Sequence, residues 1–428
     1  LIMPLVLYIY RAVTWLIGPL TSILFRLRKR MGREDGFRKF ERRGFAGMAR
    51  PKGLLVWVHV ASVGEMVAVL PLIHKLLGNF PAVQTLLTSG TVTSAKIAND
   101  NPHERIIHQY VPMDHPGFAK RFVKHWRPDI GLFVESEIWP NLMYQAEQNN
   151  VPLFLINARM SQNSFKNWKR FPNSVRYLLN QFDLILAQDN YSCVRYEMLG
   201  ARRIISAGNL KYDTPPLPHN AAELQKIRQA IGSRPIWLAA STHEGEELMI
   251  AETHKNLKLK HPRLLSIIAP RHPQRGDSLV KQLKEMGLTI AQRSRTQAIN
   301  KETDIYLADT IGEMGLFYRL SDIAFIGGTI TPRGGQNPLE AARLDTAIFY
   351  GPSNQNFSEM FSLIREVDAG REIITQDDMT DMVDLLLSDP DFREKLKTNA
   401  LQLIDKNAGA TDETLSAISP FLEKPTPR

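Results

Sequence analysis

The chain has one cysteine, Cys193, in 428 residues. A single thiol excludes an intrachain disulfide framework and a cysteine-based zinc site, and it fits a reducing compartment. Cys193 falls in a helical pattern (YSCVRYEMLG) without a histidine motif to activate it, so it reads as a packing residue. The eleven histidines lack the HExxH spacing of a zinc helix, and no metal site is expected. Neither a Walker loop nor a GxGxxG fingerprint occurs, which removes support from ATP and NAD as ligands. Low-complexity tracts and short repeats are absent too. With 43% hydrophobic and 23% charged residues the chain is a folded one, and its length suits two α/β domains better than one core.

Charge is present but unevenly placed. The net +9 would raise nucleic acid as a partner if it were spread over a surface. Instead, residues 26–50 carry ten Lys/Arg against three acids, and the rest of the chain is close to balanced. Just before this block, Leu1 to Phe25 is apolar apart from Arg11 and a Gly18-Pro19 pair. An apolar segment followed by arginines predicts a membrane anchor over residues 1–30, with the chain after it on the cytoplasmic side. A cleaved signal peptide needs its positive charge before the apolar region, the reverse of what is seen. Arg11 leaves only Ala12 to Phe25 uncharged, so the composition admits a spanning helix or one lying in the interface. The bland reading is a core helix followed by a solvated basic loop.

From residue 54, short β-branched runs alternate with helical segments, the grammar of βαβ units in a parallel sheet. The first set is Leu54-Val60, Val83-Thr88, Ile106-Val111, Ile130-Val134, Leu153-Ile156, Leu184-Ala187 and Ile204-Ala207. The second is Ile236-Ala239, Leu264-Ile268, Thr289-Ala291, Ile305-Leu307, Ile323-Ile326, Ala347-Tyr350 and Glu372-Thr375. Three prolines in YDTPPLPHN separate them. The expected division is therefore an anchor at 1–30, one Rossmann-like domain at 31–212, a linker at 213–220 and a second Rossmann-like domain at 221–428. Its final helices, from about 378, are candidates to cross back to the first. Two such domains would face each other across a cleft, with ligands outside the carboxyl ends of the strands.

Five loops after predicted strands are richer in reactive side chains than folding requires. Ser62-Val63-Gly64-Glu65 offers a carboxylate at a helix start, placed for general-base work or simply for capping. In Glu135-Ser136-Glu137-Ile138-Trp139-Pro140-Asn141 two carboxylates crowd a strand end beside an aromatic ring. Lys211, in GNLKYD, could meet a leaving phosphate or merely solvent. Pro270-Arg271-His272-Pro273-Gln274-Arg275 holds cations stiffly between prolines, which suits phosphate. Asp309-Thr310-Ile311-Gly312-Glu313-Met314 and the glycine-rich Gly327–Glu340 both precede predicted helices. Backbone amides there bind phosphate without a metal, and a carboxylate one turn on can accept from ribose hydroxyls.

Taken in order, SVGE, ESEIWPN, NARMS, GNLKYD, ASTHEGEE, IIAPRHPQR, DTIGEMGLFY, FIGG, GGQNPLEAA and GPSNQNF resemble the bacterial 3-deoxy-D-manno-octulosonic acid (Kdo) transferases, from about residue 32 to 365. The resemblance implies a GT-B glycosyltransferase that moves Kdo from CMP-Kdo to the lipid A precursor lipid IVA, at the cytoplasmic side of a Gram-negative inner membrane. It implies Glu65 as general base, with Glu135 and Lys211 supporting the transition state. For CMP it points to Pro270 and Arg271, to Ile311, Gly312 and Glu313, and to Asn337, Pro338, Leu339 and Glu340. Two departures stand out: ETE is ESE here, and the His of GGHN is Gln336, which cannot carry charge.

These readings predict an inverting transfer with no cofactor and no metal, in which cations and helix-start amides neutralise the departing phosphate. The 26–43 arginines, including Arg42 and Arg43, are expected to meet the acceptor's phosphates, and the membrane surface is met through residues 1–30 and the basic stretch 26–50. No nucleic-acid partner is expected. The rival readings are a GT-B glycosyltransferase or epimerase acting on a UDP-sugar, and a non-catalytic basic peripheral membrane protein.

Overall fold

The computed structural model describes residues 3–32 and 34–423. Leu1, Ile2 and Arg33, counted above in the apolar segment and the basic block, lie outside them, as do the last five residues of the 221–428 domain. Fourteen strands occur among the described residues, in two sheets with every pairing parallel. The first sheet contains β1 (Leu54–Val60), β2 (Val83–Ser89), β3 (Ile106–Tyr110), β4 (Ile130–Val134), β5 (Leu153–Ala158), β6 (Leu184–Ala187) and β7 (Ile204–Ser206), in the order β3-β2-β1-β4-β5-β6-β7. The second contains β8 (Ile236–Thr242), β9 (Leu265–Pro270), β10 (Ile290–Gln292), β11 (Ile305–Leu307), β12 (Ile323–Ile326), β13 (Ala347–Tyr350) and β14 (Gly370–Glu372), in the order β10-β11-β9-β8-β12-β13-β14.

β14 departs from the expected Glu372-Thr375. The side chain of Thr375 caps the helix Gln376–Ser388 in a reciprocal box with Asp378, so the backbone has left the sheet by then. Elsewhere the apolar runs are strands because both faces are covered. In β1, Leu55 and Trp57 enter one hydrophobic cluster, while Val56, Val58 and Val60 enter the other.

The chain forms two compact units, one running to Thr214 and resuming at Asn407, the other Pro215–Lys406. The closing helix Ala410–Glu423 thus belongs to the first unit, where Ala410, Leu415, Ile418 and Leu422 join the cluster of Val56 and Val69. Each Leu or Ile so buried contributes about 1.5–3 kcal/mol. Its entry is fixed by Asp213, whose carboxylate accepts from the backbone N–H of Gly409 at 2.7 Å and of Thr411 at 2.5 Å.

Residues Leu5–Arg30 form one helical stretch of 26 residues, apolar and long enough to cross a membrane by length and composition. One stripe of it lies on the first unit. Leu7 joins the core, Tyr10 donates to Asp114 at 2.9 Å, Asn141 donates to Thr14 at 3.1 Å, and Thr21 and Phe25 are buried. A Cβ at Gly18 would come within 2.6 Å of the His115 ring, so glycine permits this close approach. Leu5, Ile9, Leu16, Leu20, Ile23 and Leu27, at helical spacing on the opposite side, are exposed.

Asp213→Ala removes both bonds that start the closing helix. A loss of about 1–2 kcal/mol is expected, read as faster amide exchange across 410–423; unchanged exchange there would show that apolar packing alone holds the helix.

Candidate active site

In the first sheet, strand order reverses between β1 and β4, which opens a crevice at their carboxyl ends. The SVGE and ESEIWPN loops both arrive there. Ser62 caps the helix Val63–Asn79 by accepting from the N–H of Glu65 at 3.2 Å. The Glu65 carboxylate in turn accepts from the Ala61 N–H at 2.7 Å and the Ser62 hydroxyl at 2.8 Å. The capping reading of Glu65 is therefore realised, and it fixes the carboxylate rather than disqualifying it, since a carboxylate can accept about four hydrogen bonds. Glu65 is 7% exposed. Burial and then the charge of Glu135 raise its pKa above the ordinary carboxylate value, partly offset by the two donors.

Glu135, the residue after β4, lies in the left-handed region at φ 57°, a conformation that costs a non-glycine residue energy and turns the chain sharply. Its carboxylate accepts from Lys211 Nζ at 2.6 Å, with both side chains mostly buried. Lys211 is held by its own loop. Asn157, from NARMS, accepts from the Leu210 N–H at 3.1 Å, and Asn209 accepts from the Lys211 N–H at 3.0 Å. Glu65, Glu135 and Lys211 are thus brought into one cluster.

Of the 26–43 arginines, Arg28, Arg38 and Arg42 are taken up by the protein itself and do not match their expected role as phosphate ligands. Arg42 is 5% exposed; it pairs with Glu34 at 2.9 Å and donates to the carbonyls of Gly90 and Val111. Arg38 pairs with Glu41 at 2.8 Å and donates to the His108 carbonyl at 2.7 Å. Arg28 pairs with Glu34 at 3.0 Å, and Arg43 donates to Ser22 at 2.6 Å. Three of them form salt bridges that build this loop onto the sheet, so reversing the charge at Arg42 would unfold the loop before it touched an acceptor.

In the second sheet the order reverses between β8 and β12, and the remaining expected residues end or follow β9, β11 and β12. Pro270 ends β9, and the Arg271 N–H bonds to the Thr242 carbonyl at 2.9 Å. The Arg271 charge acts on Glu340, whose carboxyl burial pushes up to about 7. Asn337 accepts from the Leu339 N–H at 3.1 Å, and Pro338 and Leu339 are buried. Gly312 adopts φ 84°, and Ile311 is 85% exposed. Arg293 clasps Glu313 with two bonds, at 2.6 and 3.1 Å, and lowers its pKa. The helices that follow these loops are short, Met314–Leu320 and Leu339–Ala342.

Sequence reasoning passed over Arg293 and Glu246. The Glu246 carboxylate is fully buried and accepts the N–H groups of His243, Gly328 and Ile330 at 2.9, 2.8 and 3.1 Å, which ties ASTHEGEE to the glycine loop. The signal was a first-turn acid after the first strand of its sheet, as at Glu65. His243 contacts Gln336 at 3.3 Å, and burial, then His272 and Arg333, push its pKa down to about 4. Cys193 is half-buried, its thiol pKa raised by burial and by Glu197 and Asp189, as for a packing residue.

A family described as 3-deoxy-D-manno-octulosonic-acid transferase (kdotransferase) matches residues 30–214. The 3-deoxy-D-manno-octulosonic acid transferase of Haemophilus influenzae is 34% identical over 391 residues, 90% of this chain and 91% of that one. That of Bordetella pertussis is 33% identical over 396 residues, 89% and 90% of the two chains. This chain belongs to the Kdo transferase family. Among solved structures, a glycosyltransferase from Rickettsia africae matches with a TM-score of 0.56 at 14% identity, covering 87% of this chain and 100% of that one. A putative UDP-N-acetylglucosamine 2-epimerase from Listeria monocytogenes matches at 0.60 and 12%, covering 88% and 99%. These two share the fold, two Rossmann-like sheets of the GT-B class, and as a Kdo transferase the chain is a glycosyltransferase.

Because the Glu135 charge raises the pKa of Glu65, Glu135→Gln should lower it. The acid limb of the kcat/KM profile should then move to lower pH than in the wild type. A limb that stays in place would separate Glu65 from the group whose ionisation limits the rate.

Proposed function

We propose that this Kdo transferase takes Kdo from CMP-Kdo and adds it to lipid IVA in the assembly of the lipopolysaccharide inner core. The observation that carries the reading is Glu65, a nearly buried carboxylate of raised pKa beside the Glu135–Lys211 pair. A raised pKa makes a stronger base, and fixed hydrogen bonds hold it in place. Glu65 takes the proton of an acceptor hydroxyl as that oxygen bonds to the anomeric carbon of Kdo. The carbon–oxygen bond to the phosphate breaks at the opposite face, its electron pair leaves with CMP, and the configuration inverts. Positive charge developing on the sugar faces Glu135, and Lys211 offsets the negative charge of the departing group.

The donor is assigned to the second unit. Arg271 and the amides at Ile311, Gly312 and Glu313 take the phosphate, and Asn337 with Glu340 takes the ribose, over Pro270, Pro338 and Leu339. Glu313 supports this site through its clasp on Arg293, which sets the loop. Charge neutralisation by these groups requires no divalent metal. Membrane attachment is assigned to the Leu5–Arg30 helix. We assign its exposed face to the interface on the cytoplasmic side rather than to a span, a reading supported by the bonds that Tyr10 and Thr14 make to the domain along the opposite stripe. The cations Arg26, Lys29, Lys39 and Arg43, around a cavity of about 370 Å³, are then near lipid headgroups.

Detergent-solubilised protein incubated with CMP-Kdo and lipid IVA should add the mass of Kdo to the lipid, and Glu65→Ala should slow this by roughly 10²–10⁴-fold. Equal rates would remove Glu65 from its role, and use of a UDP-sugar in place of CMP-Kdo would remove the donor. EDTA should leave the rate unchanged; loss restored by Mg²⁺ would refute the metal-free reading. A ribose hydroxyl bonds best to ionised Glu340, so CMP affinity should rise as pH increases through about 7, and Glu340→Gln should flatten that dependence in calorimetric titration.

A further inference from the structure

The crevice of the first sheet opens into a cavity of about 240 Å³. Its floor is made by residues just beyond four strands: Ala61 after β1, Gly90 after β2, Val111 after β3 and Glu137 after β4. Its outer wall is Leu24 and Phe25 of the N-terminal helix. Ala61, on the floor, is also the residue whose N–H holds the Glu65 carboxylate. The cavity is smaller than the roughly 300–1,000 Å³ of sites that enclose whole drug-sized ligands. Its size suits one ring rather than a glycolipid.

Its charge balance is informative. Arg28 and Arg42 both pair with Glu34, and Arg42 is further engaged by two carbonyls. The Asp114 carboxylate accepts from Tyr10, Asn141 and Leu142 at 2.9, 3.0 and 2.9 Å. The lining thus sets two guanidiniums against three carboxylates, Glu34, Asp114 and Glu137, with both guanidiniums already engaged, so an entering phosphate would lose water without meeting a surplus of positive charge. A neutral ligand bearing hydroxyls meets no such penalty.

One polar atom in the lining is left over. His59 Nε2, at 3.2 Å, and the Trp139 indole N–H, at 2.6 Å, both contact Oε2 of Glu137, and among the described residues Oε1 has no partner. His59 is 1% exposed, and its Nδ1 lies 3.1 Å from the Thr88 hydroxyl, which also accepts the Trp57 indole N–H at 2.9 Å. The ring cannot turn away, so the carboxylate it holds is fixed as well. Burial opposes the Glu137 charge, yet the bonds from His59 and Trp139 outweigh it and keep the carboxyl pKa below its ordinary value. Glu137 is thereby a weak base and a permanent acceptor, the converse of Glu65.

We propose that this cavity seats the hydroxyl-bearing edge of one sugar ring of the acceptor, with Glu137 Oε1 accepting a ring hydroxyl and an apolar chain passing over Leu24 and Phe25 to the exposed face of the N-terminal helix. This rests on the reading of the acceptor as a glycolipid and adds where its head lies. The hydroxyl that reacts is delivered to Glu65 by a ring held one loop away, and its phosphates stay outside the cavity.

The test uses the full chain in detergent, with Met113→Trp to fill the cavity that Met113 lines, Met113→Ala to widen it, and Glu137→Gln. The probe is n-octyl glucoside below its micellar concentration, followed by saturation-transfer NMR; CMP affinity is followed by calorimetry. Wild type and Met113→Ala should bind the probe. Met113→Trp should weaken it at least tenfold and Glu137→Gln at least threefold, with a matching rise in KM for lipid IVA and CMP affinity within twofold throughout. Unchanged probe binding in Met113→Trp or in Glu137→Gln, or a parallel loss of CMP affinity, overturns the proposal. Probe binding by a wild type that transfers no Kdo to lipid IVA would uphold the cavity and overturn the acceptor assignment instead.

Discussion

Three carboxylates, Glu65, Glu135 and Glu137, end at one sheet edge, and the Lys211–Glu135 pair is what makes their proximity tolerable. Like charges in a partly buried site force one another toward the neutral form unless a cation offsets them. Lys211 bonds to the middle member, and His59 and Trp139 secure the third. Glu65 is left with the residual repulsion, which adds to burial, the larger cause, in raising its pKa. Much of the first unit serves this balance. Asn157 and Asn209 hold the lysine loop, and the Asp213 that follows it starts the helix that closes the domain.

The ion pair also explains why the chain tolerates φ 57° at Glu135. A strand that continued straight would carry the carboxylate away from Lys211. The turn sends Glu135 to the lysine and, two residues on, lets Glu137 reach His59. Pro140 then begins the next helix, where its missing N–H costs nothing. ESEIWPN is therefore a strand exit in which each residue's conformation determines the charge environment of the next.

The strands could be read from the sequence because a sheet covered on both faces leaves unbroken apolar runs, and Leu54–Val60, Ile130–Val134 and Ile323–Ile326 end where their runs end. β14 could not, because Ile373 and Ile374 prolong an apolar run that the Thr375 cap has already diverted. Arg42 shows a different limit. A basic block looks the same whether its guanidiniums face phosphate or, as here, a buried Glu34 and two carbonyls, since partners 48 and 69 residues away are invisible to local reading. The N-terminal segment was ambiguous for a related reason. Its composition suits a span, and the side-chain bonds of Tyr10 and Thr14 to the domain, with the burial of Leu7 and Phe25, show that one stripe is occupied by protein.

Glu65 and Glu246 bring these limits to a single comparison. Each is an acid in the first turn of the helix that follows the first strand of its sheet, and nothing local separates them. Glu246 is closed off, with its carboxylate accepting backbone N–H groups from two loops, and so it latches a glycine loop in place. Glu65 accepts only from its own cap, keeps a small exposed surface, and feels the charge of a neighbouring carboxylate. Both have raised pKa values from burial, so the shift alone does not identify a base. The difference lies in lone pairs left unfilled and in a cavity beside one of them, properties that exist only once β1 and β4 stand together.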